Sequence, residues 1–286
     1  MFPSKFCLIL LTSAFLVLCC VPALADRQGL LNIVTTTSMI WDVTREVAGS
    51  RAQVHALMGS GVDPHLYKPT RSDMAALLDA EVVFYNGLML EGKMTGAIQR
   101  MEQAERAVFA VTELIPRQFL LASEAHPNQH DPHVWMDPAA WQKVVELIAR
   151  HLEALDPPGS DIYRRSAVRY LGNLEQLDQY ATRVLASVPQ NARVLVTSHD
   201  AFRYFGRRFN FEVLGIQDLS TESEAGVRDI EHLVDLLVSR RVQAVFVEST
   251  VSPRNLKALL EGAAARGHNV RIGGELFSDA MGAPGT

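Results

Sequence analysis

The sequence predicts an α/β protein: two lobes with parallel sheets of βαβ units, joined by one long helix. Three observations carry this. β-branched runs alternate with helical patterns throughout both halves of the chain. The break Asp156-Pro157-Pro158-Gly159 divides those halves. After it, Asp161 to Val188 lacks proline and spaces Leu171, Leu174, Leu177, Val184 and Val188 as a helix does.

In the first half, Leu31–Thr37 (LNIVTTT) reads as a strand and Met39–Ala48 as a helix stopped by Gly49. Ala52–Met58 is a second strand. Thr70 with Asp73 forms a capping-box pattern that opens a helix to Asp79. Glu81–Tyr85 is a strand, Glu91–Met101 a helix and Ala107–Val111 a short strand. Asp137-Pro138 supplies a cap and a first helical residue for a helix to about Leu155.

The second half repeats the pattern. Strands are expected at Arg193–Thr197, Phe211–Leu214, Ala244–Val247 and Asn269–Ile272. Helices are expected from His199-Asp200 through Arg208, at Ala225–Arg240 and at Pro253–Arg266. The resulting division is residues 26–160, a linking helix over 161–188, and residues 189–286.

Residues 1–25 stand apart. Lys5 precedes an apolar run, Phe6–Cys20, and Val21-Pro22-Ala23-Leu24-Ala25 supplies small residues before Asp26. This is the pattern of a secretory signal peptide, and the run is short of the ~20 apolar residues of a membrane span. A location in the periplasm or cell envelope follows. A bacterial lipobox wants a small residue before its cysteine, but Leu18 precedes Cys19 and Cys19 precedes Cys20. All three cysteines (Cys7, Cys19, Cys20) lie in this segment, so residues 26–286 offer no disulfide, thiolate ligand or cysteine nucleophile.

Composition narrows the function. Hydrophobic residues at 48% and charged residues at 21% describe a globular chain rather than a disordered one. A net charge of -5, without a basic stripe, argues against a nucleic-acid partner.

Four residues fall where α/β sheets place ligands, at the carboxyl ends of strands or the starts of helices. They are His65 in GVDPHLYKP, His133 in DPHVWMDP, His199 in VLVTSHDAF and Asp279 in IGGELFSDAMG. Two precede the long helix and two follow it, so a cleft between the lobes receives two from each side. Imidazoles and a carboxylate are the ligands zinc takes without thiolates; manganese or iron(II) fit the same set. No short motif certifies the site, since the four are widely separated in the chain.

Around them, Asp131 and Asp137 flank His133; Asp131 is placed to orient the ring, and Asp137 is read as the helix cap. Asp200 adjoins His199, and helix capping explains it equally well. Glu248, ending VFVES, is read as an exposed loop residue, with a buried role as the other possibility. Glu275 is read as structural. Trp135 and Tyr67 are expected to wall the cleft.

The segments GVDPHLYKP, YNGLMLE, DPHVWMDP, VLVTSHDAFRYF and IGGELFSDAMG resemble the zinc- and manganese-binding (TroA-like) solute receptors of bacterial ABC importers. The likeness runs from Leu31 to Gly282. It implies a rigid linking helix, metal held by His65, His133, His199 and Asp279, and delivery to an ABC permease and its ATPase by a monomeric receptor. Manganese-preferring relatives commonly carry Glu in place of His199. Three imidazoles make a softer set, which favours zinc as the tightest binder, while the resemblance keeps manganese open as the transported ligand. The loop before His133 is short, with only His126 and His130, and is read as solvated. Relatives continue past SDAMG through another helix, whereas this sequence stops at Thr286, which implies truncation or a short second lobe.

Two other functional classes compete with this one. A zinc hydrolase needs an open metal position and a nearby base, and HExxH, GxSxG and Walker patterns are all missing from the sequence. A surface adhesin is the third reading, and no adhesive repeat supports it.

Overall fold

A computed structural model describes residues 29–123 and 128–285. The predicted signal segment and His126 lie outside the described residues.

The first half builds a four-stranded parallel sheet in the order β2-β1-β3-β4, from β1 (Leu31–Thr35), β2 (Ala52–Ala56), β3 (Val82–Tyr85) and β4 (Val108–Ala110). Its helices are α1 (Ser38–Ala48), α2 (Arg71–Asp79), α3 (Thr95–Gln103) and α4 (Pro138–Leu155). Local chemistry sets their limits. Thr37 caps α1, and Gly49 ends it at φ 55°, a conformation glycine adopts without steric cost. The Thr70–Asp73 capping box opens α2 as predicted, and Asp137 accepts from Ala139 and Ala140 N–H at the start of α4. The helix expected from Glu91 begins instead with a tight turn at Gly92–Met94, because the Glu91 side chain is turned inward to other partners.

Helix α5 (Ser160–Leu185) has 26 residues, about 39 Å at ~1.5 Å per residue. Tyr163, Ala167 and Leu174 share a core with Val43 and Val47 of α1 and Val144 and Ile148 of α4. Tyr163 also donates to Asp156, which takes a bidentate pair of hydrogen bonds from Arg51. The apolar stripe predicted along α5 is only partly buried. Leu177 and Val184 are exposed, whereas Leu174 is buried in the core shared with α1 and α4.

The second half contains β5 (Val194–His199), β6 (Glu212–Gln217), β7 (Ala244–Glu248) and β8 (Arg271–Leu276), with α6 (Arg203–Phe209), α7 (Val227–Arg240) and α8 (Arg254–Ala265). The strands form two parallel pairs, β5-β6 and β7-β8, rather than one continuous sheet. One core nevertheless spans both pairs: Val196, Ile216 and Val245 pack with Leu233, Leu237, Leu256 and Leu259. Strand β8 runs through Gly273-Gly274 to Leu276, beyond the expected Ile272. The glycine pair is part of an exposed strand paired with β7 through a register shift at Val245/Phe246.

Tyr204 of α6 is buried in the first half's core, accepts from Leu121 N–H and donates to the Asp131 carbonyl. Thus α5 is not the sole connection between the halves. No helix among the described residues is long and apolar enough to cross a membrane.

Candidate metal centre

The four predicted residues meet. His65 lies in the loop after β2, His133 just before the short turn Val134–Met136 that leads into α4, His199 at the last position of β5, and Asp279 three residues beyond β8. One donor atom from each lies within 4.8 Å of the others, and all four residues are buried. The distances run 3.5 Å from His65 Nε2 to Asp279 Oδ2, 3.5 Å from His133 Nε2 to Oδ1, and 3.1 Å from His199 Nε2 to Oδ2. Ligands ~2.0–2.1 Å from a tetrahedral zinc stand about 3.4 Å apart, so these separations suit one ion. None of the three Nε2 atoms, nor either Asp279 oxygen, makes a hydrogen bond. Buried polar atoms without partners are rare and costly. Five of them aimed at one point form a donor set for a cation.

The remaining atoms of these side chains are held. His133 Nδ1 lies 2.8 Å from Asp131 Oδ1, which also accepts the His133 backbone N–H. His199 Nδ1 lies 2.6 Å from Glu248 Oε2, while Glu248 Oε1 accepts the His199 backbone N–H at 2.8 Å. A carboxylate accepts only, so in the neutral imidazole each pair keeps the proton on Nδ1 and turns the Nε2 lone pair inward, the form a metal ion binds. The His65 backbone N–H donates to Asp63. Trp135 packs edge-on to His133 at 5.3 Å between centroids and donates to the Ser278 carbonyl, tying down the loop of Asp279.

The charges are coupled. Burial disfavours imidazolium at His199, yet Asp279 and Glu248 hold its pKa well above the ordinary value. Burial also disfavours charge on Asp279, but His199 and His133 hold its carboxyl well below the usual range. Burial, with Asp131 nearby, pushes Asp200 up to about 7.

Several neighbours differ from expectation. Glu248 is buried, not an exposed loop residue, because its strand ends beside β5 at the His199 backbone. That shared strand-end position was the available signal. Asp200 caps no helix: α6 begins three residues later, without a side-chain cap. Asp137 does cap α4 and also pairs with Arg207. Tyr67 joins the cluster of Leu57 and Met74 and donates to Asp73, which draws its hydroxyl to α2. Glu275 is an exposed residue of β8. His130 is drawn into a small β-bridge with Ala122, its Nδ1 3.3 Å from the Leu121 carbonyl.

Glu91 went unremarked as a side chain. It is buried and accepts from Thr36 Oγ1 at 2.6 Å and from the N–H groups of Asn86 and Gly87. Asn86 in turn donates to the Pro132 carbonyl, beside His133. Burial raises the Glu91 pKa.

Comparison with known proteins agrees with this architecture. Residues 33–286 match the family model of the zinc-uptake complex component A, periplasmic. The chain is 44% identical over 262 residues to the manganese-binding lipoprotein MntA of Bacillus subtilis (strain 168), covering 92% of this chain and 84% of that one. It is 43% identical over 265 residues to the zinc-binding protein TroA of Treponema pallidum (strain Nichols), with the same coverage. The solved structure of periplasmic zinc-binding TroA from T. pallidum superposes with a TM-score of 0.87 at 42% identity, over 90% of this chain and 92% of that chain. A family match across nearly the whole described chain, and a fold shared with a solved relative, place the protein in the zinc-uptake component A family, the metal-binding solute receptors of ABC importers.

Proposed function

We propose that the protein captures one divalent transition metal ion, zinc in preference to manganese, between its two halves and delivers it to an ABC permease driven by a separate ATPase. The observation that carries this reading is the convergence of three imidazole nitrogens and a carboxylate, all buried and none hydrogen-bonded. Three nitrogen donors and one oxygen donor favour zinc over manganese in the ordinary affinity order. The names of the relatives point to both metals: MntA is called manganese-binding and TroA zinc-binding.

In this reading His65, His133, His199 and Asp279 are the ligands. Residues 26–160 and 189–286 form the lobes, and 161–188 the helix between them. The rigid helix and the Tyr204 anchor support a small tilt or loop ordering on binding rather than a wide closure. Four protein ligands fill a tetrahedral set, which supports a receptor over a hydrolase, since catalysis needs a position open to water. A role outside the cytoplasmic membrane agrees with the exported sequence pattern, and a monomer with the receptor type.

The test is metal uptake by chelator-treated protein. The expected result is one zinc per chain, displaced by manganese only at large excess. Protein that takes up neither metal would overturn the proposal.

A further inference from the structure

The loop between β6 and α7, residues 218–226, leaves the strand that pairs with β5. Gln217 lies in register with His199, so the loop starts beside that ligand. Most of the loop is exposed, but Thr221 is only 8% exposed. Its hydroxyl donates to Asp63 Oδ2 at 2.6 Å, across to the first half of the chain. The other oxygen, Asp63 Oδ1, accepts the backbone N–H of His65 at 2.9 Å. A neighbouring ion pair, Lys93–Glu222 at 2.9 Å, runs between the same two regions, and Gln217, the last residue of β6, donates to the Ser223 carbonyl of the loop. The loop is thus tied at both ends of its reach: to the strand of His199 and to the turn of His65.

We propose that Thr221 and Asp63 are positioning residues that form a latch across the metal centre, fixing His65 relative to His199 whether or not metal is present. This rests on the receptor reading of the site. Neither side chain touches the cluster; Asp63 acts through the His65 backbone and Thr221 through Asp63. The latch holds the turn that carries His65, whose ring, among the described residues, has no carboxylate behind it like those behind His133 and His199. A hydrogen bond to a charged acceptor is among the stronger ones, and a 2.6 Å contact is a short member of the class. Opening it frees the His65 turn to move away from the ion, so the latch sets the rate of metal release more than the number of ions held.

Thr221→Val removes the hydroxyl and keeps the shape; Thr221→Ser keeps the hydroxyl. Zinc release to excess chelator, followed by stopped flow, is expected to be roughly tenfold faster in Thr221→Val, with one zinc per chain retained, and near wild type in Thr221→Ser. In metal-free protein, amide exchange over residues 61–67 is expected to accelerate by a similar factor in the valine variant alone. Unchanged release and exchange in Thr221→Val, or equal acceleration in Thr221→Ser, would overturn the latch. The exchange experiment needs no metal, so it decides the latch even if the wild-type protein takes up no zinc, a result that would overturn the receptor reading separately. If Thr221→Val lowers the melting temperature of the metal-free protein, Thr221→Ala carries the same comparison without the inserted methyl.

Discussion

Glu248 holds His199 at two points, Nδ1 at 2.6 Å and the backbone N–H at 2.8 Å, one carboxylate oxygen to each. The ring and the end of the strand that carries it are therefore oriented by the same side chain. Asp131 does the same for His133 with a single oxygen. Both imidazoles are left with one free nitrogen, and both free nitrogens face Asp279.

Replacing Glu248 by Gln keeps the volume but removes the obligate acceptor. Loss of such an outer partner costs about 10–100-fold in metal affinity. Zinc affinity in Glu248→Gln, measured by competition with a chromophoric chelator, is expected to fall in that range with one ion still bound per chain. Wild-type affinity would show that the contact does not orient the ligand.

The assignment of ligands is tested by contrast. His199→Ala removes a donor from the cluster, whereas His130→Ala removes a ring held near the Leu121 carbonyl in a β-bridge. Zinc binding is expected to weaken by at least two orders of magnitude more in the first variant. Equal losses in a calorimetric titration would show that the four-residue site is misassigned.

Metal uptake displaces protons, and the direction follows from the site. Asp279 is depressed below its ordinary 3.8, so its stabilising contribution is present above that pH and lost as pH falls through its lower folded value. His199 is raised above its ordinary 6.5, so its contribution is present below that pH and lost as pH rises through the folded value. In metal-free protein the pair stabilises most between about pH 4 and 6.5. Zinc takes the place of the His199 proton, so the rise in melting temperature on adding zinc is expected to grow from pH 6 to 8. Calorimetry in buffers of different ionisation enthalpy would register the released proton; a pH-independent gain would contradict it.

Asp156 binds Arg51 and the Tyr163 hydroxyl at the junction of α4 and α5, with its own side chain only 1% exposed. Asp156→Ala leaves a guanidinium and a phenol without that acceptor. Urea unfolding of the metal-free protein is expected to show a loss of about 2–3 kcal/mol, with zinc affinity changed less than threefold. A similar loss of affinity would mean that this junction also sets the site.

Much of this was legible in the sequence because it rests on local rules. The Thr70–Asp73 box, the Asp137-Pro138 start and the Gly49 stop depend on residues a few positions apart, and they appear where expected. The last strand runs four residues beyond the expected Ile272, because pairing with β7 carries it through Gly273-Gly274 to Leu276. The spacing along α5 correctly marks a helix, but periodicity shows which face is apolar, not how far a neighbour reaches to cover it.

The sequence by itself determined the α/β alternation, the long helix and the four residues that converge, since strand ends in parallel sheets collect on one edge. Only the tertiary structure decided the support of that cluster. Glu248 stands behind His199, Asp63 bridges His65 to Thr221, and Tyr204 enters the opposite half's core, each joining residues dozens of positions apart. A carboxylate becomes a buried acceptor or a solvated charge according to what packs over it, and that is set by the folded chain rather than by its neighbours in sequence.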